Sequence, residues 1–138
     1  MTPDLELLLV RARAVRAQAY APYSDYSVGA AILGADGQVY VGVNVENVSF
    51  GLTVCAERTA LGAMVTAGCQ ELVAVAVSTH DGGSPCGMCR QSLAEFAPNL
   101  GSVVVLCAGD NGERHQFTMA ELMPAAFRTP LKKASPSG

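Results

Sequence analysis

Two short fragments of this chain carry the side chains best suited to chemistry: Thr53-Val54-Cys55-Ala56-Glu57-Arg58 and Ser84-Pro85-Cys86-Gly87-Met88-Cys89-Arg90. Thiolates are strong zinc ligands, and a Cys-x-x-Cys spacing over the first turn of a helix lets both sulfurs face one ion. Cys55 would add a third sulfur from another helix start. Three protein ligands on tetrahedral zinc leave a fourth position open to water, which is the arrangement of a catalytic site. Glu57 follows Cys55 by two residues, about 200° around a helix axis. Its carboxylate is therefore expected beside the metal and its water rather than on the metal, where a proton carrier is needed.

A Cys-x-x-Cys pair has other meanings. A structural zinc knuckle needs a fourth ligand, and Cys69, Cys107, His80 and His115 lack partners at ligand spacing. A thioredoxin-like redox pair should closely follow the first strand of its fold, whereas this pair follows the third predicted strand. Cys69 and Cys107 read as buried, inert thiols, and His80 and His115 as surface or loop residues. An odd total of five cysteines also argues against a disulfide framework.

The elements that must position these residues follow from periodicity. Residues 3–20 read as an amphipathic helix, with Thr2 as its cap, Pro3 in the first turn, and Leu5, Leu8, Leu9, Ala12 and Val15 on one stripe. Strands are predicted over about 27–33 and 38–45, joined by an Asp36-Gly37 turn. A helix over roughly 55–67 ends at Gly68. A strand over 71–79 reads as buried on both faces, and a second helix spans about 86–97. Val103-Val104-Val105-Leu106 is a further strand, with a short one at 114–117. Thr118-Met119-Ala120-Glu121 fits a capping box for a last helix. The order αββαβαβ(β)α, with continuous apolar strands, predicts an α/β layer sandwich with a largely parallel second half. Both cysteine fragments fall at helix starts, where about half a positive charge and unpaired N–H groups favour thiolates.

Half of the residues are hydrophobic and only 15% are charged, so the chain has the material for a core. One domain over 1–138 is expected, with residues 131–138 as a flexible tail. The net charge of -3 argues against a nucleic-acid partner. No apolar run approaches the roughly 20 residues of a membrane span, and the N-terminus, with Asp4 and Glu6, does not read as a signal peptide. A cytoplasmic location is expected.

The two fragments together match a pattern of zinc deaminases, Cys-x-Glu followed by Pro-Cys-x-x-Cys, with 28 residues (58–85) between Glu57 and Cys86. Over nearly its whole length the chain resembles the cytidine deaminase family in its small, three-cysteine form. The likeness is carried by Ala21-Pro22-Tyr23-Ser24-Asp25-Tyr26-Ser27-Val28-Gly29-Ala30-Ala31, Gly42-Val43-Asn44-Val45-Glu46-Asn47, the two cysteine fragments extended to Ala60 and Gln91, and Leu122-Met123-Pro124-Ala125-Ala126-Phe127. The resemblance implies a three-layer α/β/α sandwich around a mixed sheet of about five strands. It implies one zinc ion per subunit, held by Cys55, Cys86 and Cys89, and Glu57 as proton shuttle. Asn44 and Glu46 would hydrogen-bond ribose hydroxyls, Tyr26 would flank the base in place of the usual Phe, and the Ala56 backbone would meet the pyrimidine edge. Phe127 would reach a neighbouring subunit's site within a homotetramer. The implied reaction is zinc-dependent hydrolytic deamination of cytidine and 2'-deoxycytidine to uridine and 2'-deoxyuridine with release of ammonia, a step of pyrimidine salvage.

Three thiolates overcompensate a zinc dication, leaving a formal charge of -1. Two helix starts at about +0.5 each oppose that excess, and Arg58 is placed to add hydrogen bonds to a ligand sulfur. Competing readings are a deaminase of the same fold acting on another cytosine-containing nucleoside or a free base, a polynucleotide editor, and a zinc-stabilised interaction module without catalysis. The acidic balance disfavours the editor, and ammonia release from cytidine separates the others.

Overall fold

The computed structural model describes residues 3–127. In chain order the elements are α1 (Leu5–Arg16), β1 (Gly29–Gly34), β2 (Val39–Val43), a 3-10 turn at Phe50–Leu52, α2 (Ala56–Thr66), β3 (Leu72–Thr79), α3 (Gly87–Glu95), β4 (Val104–Gly109), β5 (Arg114–Thr118) and α4 (Met119–Leu122). The five strands form one mixed sheet in the order β2-β1-β3-β4-β5. The element sequence read from periodicity is thus the one observed.

Three details differ from the sequence reading. Helix α1 is shorter than 3–20 at both ends. Asp4, not Thr2, caps it, accepting from the Leu7 amide at 3.1 Å; the carboxylate also suits the positive end of the helix, and Thr2 lies outside the described residues. At the other end Tyr20 leaves the helix to form a bridge with Val45. The second half of the sheet is parallel only between β3 and β4, because β5 returns antiparallel to β4. The Asp110–Glu113 connection is too short for a parallel crossover, which needs a dozen or more residues. The expected tail, 131–138, lies outside the described residues.

The sheet is covered on both faces. Helix α1 lays Leu8, Leu9 and Ala12 on Ala31, Ala74, Ala76 and Ala108; these small side chains let the helix sit low. On the other face α2 and α3 bring Ala60, Leu61, Met64 and Leu93 against Ile32, Val75, Val77 and Val105. Full burial of each such aliphatic side chain contributes roughly 1.5–3 kcal/mol, and alternation along β3 sends valines to one face and alanines to the other.

Strand direction places the site. Both β2 and β3 pair antiparallel with β1, so they run the same way. The chain therefore enters α2 and α3 from the same end of the sheet, with the start of β1 between them. Two backbone approaches fix that end. A Cβ at Gly42 would lie 2.3 Å from the Ala60 amide nitrogen and 2.7 Å from the Ala56 carbonyl oxygen, so α2 rests directly on β2. A Cβ at Gly109 would lie 2.5 Å from the Gly82 nitrogen, so the loop leading toward α3 rests on the end of β4. No helix is long and apolar enough to cross a membrane among the described residues.

Candidate active site

Cys55 and Cys86 occupy equivalent places. Each is the N-cap of its helix, in extended backbone, and neither side chain caps its own helix. Both sulfurs are free to turn toward the gap between the helices. Cys89, one turn into α3, is fully buried and faces the same gap. The three Sγ atoms lie within 4.8 Å of one another, and Cys55 and Cys86 are 3.8 Å apart. Tetrahedral geometry with zinc–sulfur bonds of about 2.3 Å requires sulfurs about 3.8 Å apart. Donor type, number and spacing all fit one zinc ion. Among the described residues no other His, Cys, Asp or Glu joins the group, so Glu57 stands beside it rather than within it, as its spacing predicts.

The electrostatics of the cluster are uneven. Hydrogen bonding from the Cys89 thiol, and next from Arg58, holds Cys55 down at about 5 against the cost of burial. Cys89, as the donor to Cys55 and a buried group, is pushed well up. Arg58 donates to Cys55 Sγ at 3.7 Å and to the Thr53 carbonyl at 3.3 Å. That is the contact its position after Cys55 predicts, and it places a permanent positive charge against a sulfur-rich centre.

Glu57 is 4% exposed. Burial raises its carboxyl to about 7; its own amide lowers it and the Cys55 charge raises it further. A carboxyl that titrates near neutrality can both take and give a proton under working conditions.

A cavity of about 410 Å³ opens over the cluster, within the range of small-molecule sites. Its lining includes Cys55, Ala56, Glu57 and Cys86 at one end and Ser24, Tyr26, Asn44 and Glu46 along the walls. Every substrate-contact residue read from the sequence lines it except Phe127. That ring is 79% exposed, with its carbonyl accepting from Gln91 Nε2 at 3.4 Å.

Asn44 and Glu46 point to the same cavity, as alternation in extended chain requires. Both already serve the walls. Asn44 accepts from the Val28 amide at 2.9 Å and donates to the Tyr26 carbonyl at 2.8 Å. Glu46 accepts from the Tyr23 and Ser24 amides at 2.9 and 3.2 Å and from the Ser24 hydroxyl. The Ser24 bond leads the interactions that hold its carboxyl below the usual range, so it is an anionic acceptor.

Several organising residues have no signal in sequence spacing. Thr79, buried at the end of β3, accepts from the Gly82 and Gly83 amides at 2.7 and 3.1 Å. Arg90 donates to the Pro85 carbonyl at 2.8 Å, the Ser84 hydroxyl at 3.0 Å and the Leu122 carbonyl at 3.3 Å. It thereby fastens the approach to Cys86 to the end of α4. The Tyr26 hydroxyl finds its partner in Asp81. Cys69 and Cys107 are buried, as expected, and burial pushes the Cys107 thiol up to about 12. His80 is exposed in its loop, its ring edge-on to Tyr26 at 5.1 Å.

An α/β/α sandwich that gathers three thiols from two helix starts next to a buried carboxyl defines a zinc enzyme of the deaminase class. A family model described as the cytidine and deoxycytidylate deaminase zinc-binding region matches residues 3–107. A cytidine deaminase of Sporosarcina psychrophila is 44% identical over 126 residues, 90% of this chain and 91% of that protein. The crystal structure of cytidine deaminase from Burkholderia pseudomallei superimposes with a TM-score of 0.84 at 39% identity, covering 91% of this chain and all of that one. That from Mycobacterium tuberculosis gives 0.79 at 35% identity over 93% of this chain. The chain belongs to the cytidine and deoxycytidylate deaminase family, and zinc is the cofactor its site is built for.

Proposed function

We propose that the protein is a hydrolytic cytidine deaminase, converting cytidine and 2'-deoxycytidine to uridine and 2'-deoxyuridine with release of ammonia, a reaction of pyrimidine salvage. The observation that carries this reading is the buried Glu57 carboxyl beside a three-thiol cluster at the floor of a nucleoside-sized cavity. Relatives named cytidine deaminase match nine-tenths of the chain.

Cys55, Cys86 and Cys89 would hold the zinc, which when bound supplies a Lewis acid that makes water a nucleophile near neutral pH. Glu57 takes a proton from the attacking water and delivers it to N3 of the pyrimidine, which makes C4 electrophilic. The same carboxyl then takes the second proton from the oxygen now bonded to C4 and hands it to the departing 4-amino group. Water oxygen replaces nitrogen at C4, and one ammonia leaves for each water consumed. Glu46 and Asn44 orient the ribose through its hydroxyls, using lone pairs and protons not spent on the walls. Tyr26 flanks the base, and the Ala56 backbone meets the pyrimidine edge.

The working unit is a homo-oligomer, a tetramer by family likeness. Val48, Phe50, Leu52 and Phe127 are large apolar side chains left exposed on one chain, which favours association. A hollow lined by Tyr23, Ser24, Glu46, Phe50 and Thr53 adjoins the cavity and shares Ser24 and Glu46 with it. Phe127 of a neighbouring subunit would close the site from that side. One domain accounts for the fold and the site together. The five free cysteines suit the reducing cytoplasm as the compartment.

The test combines metal analysis with ammonia release from cytidine. One zinc per chain and stoichiometric uridine and ammonia are expected. Zinc-loaded protein that releases no ammonia from either nucleoside overturns the assignment.

A further inference from the structure

We propose that Asp81 is a positioning residue that, through the Tyr26 hydroxyl, latches the substrate wall of the cavity to the loop that delivers Cys86. The substrate side of this inference rests on the nucleoside reading above.

Asp81 lies in the exposed loop after β3 and does not line the cavity. Its Oδ1 nevertheless gathers three donors: the Tyr26 hydroxyl at 2.7 Å, the Gly83 amide at 3.1 Å and the Thr79 hydroxyl at 3.3 Å. Tyr26 is held equally firmly from its other end. Its amide donates to the Ser24 hydroxyl at 3.0 Å, and its carbonyl accepts from Asn44. Ser24 in turn donates to Glu46. One phenol therefore spans from the group that faces the ribose to the loop of residues 81–85.

The fit at the far end is close. A Cβ at Gly83 would lie 2.8 Å from the Tyr26 oxygen, so the hydroxyl rests directly against the Gly83 backbone. Beyond Gly83, Arg90 fastens Ser84 and Pro85, and Cys86 follows. A phenylalanine at position 26 would keep the ring but lose the tie.

The consequence is selective. Glu57 and Cys55 sit on α2, which is anchored at Gly42 and does not depend on this loop. Releasing the latch loosens the cavity wall between Tyr26 and Gly83 while leaving the proton carrier in place. Substrate affinity should suffer more than the chemical step. A hydrogen bond to a charged acceptor supports an effect of about tenfold.

The experiment compares Asp81→Ala, Asp81→Asn, Tyr26→Phe and the double variant Asp81→Ala/Tyr26→Phe in the zinc-loaded full chain. Asp81→Ala should raise KM for cytidine about tenfold while kcat moves by less than about twofold. Asp81→Asn keeps an acceptor oxygen without the charge and should bring KM part of the way back. Tyr26→Phe should raise KM to the same degree, and the double variant should be no worse than Asp81→Ala. Amide hydrogen exchange over residues 82–84 gives a readout independent of turnover: it should quicken in Asp81→Ala and Tyr26→Phe and stay slow in Asp81→Asn. Unchanged KM and exchange in Asp81→Ala, additive single effects, or no rescue by asparagine overturns the latch. If the parent protein releases no ammonia, the nucleoside reading fails and the exchange measurement alone decides the latch.

Discussion

The Arg58 guanidinium donates to Cys55 Sγ at 3.7 Å from the same first turn of α2. It sets a fixed cation against a sulfur cluster whose charge would otherwise exceed that of its metal. Replacing Arg58 with glutamine should move the rising limb of the pH–rate profile to higher pH, because removing positive charge disfavours deprotonation at the centre. An unmoved profile would deny Arg58 this electrostatic role.

Burial holds the Glu57 carboxyl near neutrality, which suits the proton-carrying role proposed above. Glu57→Gln should retain zinc and lose turnover by about a hundred- to ten-thousandfold. Metal analysis alongside ammonia release distinguishes this from a failure to load. The same substitution should stabilise the metal-free protein at alkaline pH. A carboxyl raised from 4.5 to about 7 on folding binds more protons folded than unfolded in that interval. Its contribution to stability therefore falls as pH rises from 4.5 through about 7, by roughly 3 kcal/mol. Urea melts of both proteins at several pH values check the sign.

Phe127 is exposed and does not line the cavity of its own chain. Phe127→Ala, or truncation after Met123, should lower activity. Mixing inactive Glu57→Gln chains with impaired Phe127→Ala chains, followed by subunit exchange, should restore part of it, since each hybrid can pair an intact carboxyl with an intact neighbouring ring. Absence of complementation in confirmed hybrids would place the action of Phe127 within its own chain.

Gly42 has no room for a side chain beneath α2. Gly42→Ala must lift the helix that carries Cys55 and Glu57. It should cost about 1–3 kcal/mol or more in urea denaturation and reduce kcat together with stability. Gly62, where a Cβ meets open space, is the control.

Tyr40 donates its hydroxyl to the Asp36 carboxylate across the β1–β2 hairpin, and this bond pushes the phenol up to about 12. A phenol raised on folding contributes stability that is fully present below pH 10 and is lost as pH rises through about 12. Asp36, held below its ordinary range chiefly by the same bond, contributes above pH 3.8 and loses that contribution as pH falls through its lowered value. Phenolate absorbance should show a late-titrating tyrosine that disappears in Tyr40→Phe.

What could be read from residue order alone was local. Cys55, Cys86 and Cys89 announce themselves by spacing, and helix starts follow from capping and periodicity, so the three-thiol cluster and the carboxyl beside it are legible in residue order. Four of the five strands were likewise legible from their apolar runs, whereas β5, Arg114–Thr118, is largely polar and was marked only by the turn before it. Sheet order was not legible, because parallel and antiparallel neighbours share one side-chain period, and β5 turned back where parallel pairing was expected. Folding alone decided which distant groups met: Thr79 beneath Gly82, Arg90 against Leu122, and the Tyr26 phenol on a carboxylate 55 residues away. Such contacts depend on how two connections cross at one end of a sheet, a relation in space that no spacing along the chain encodes.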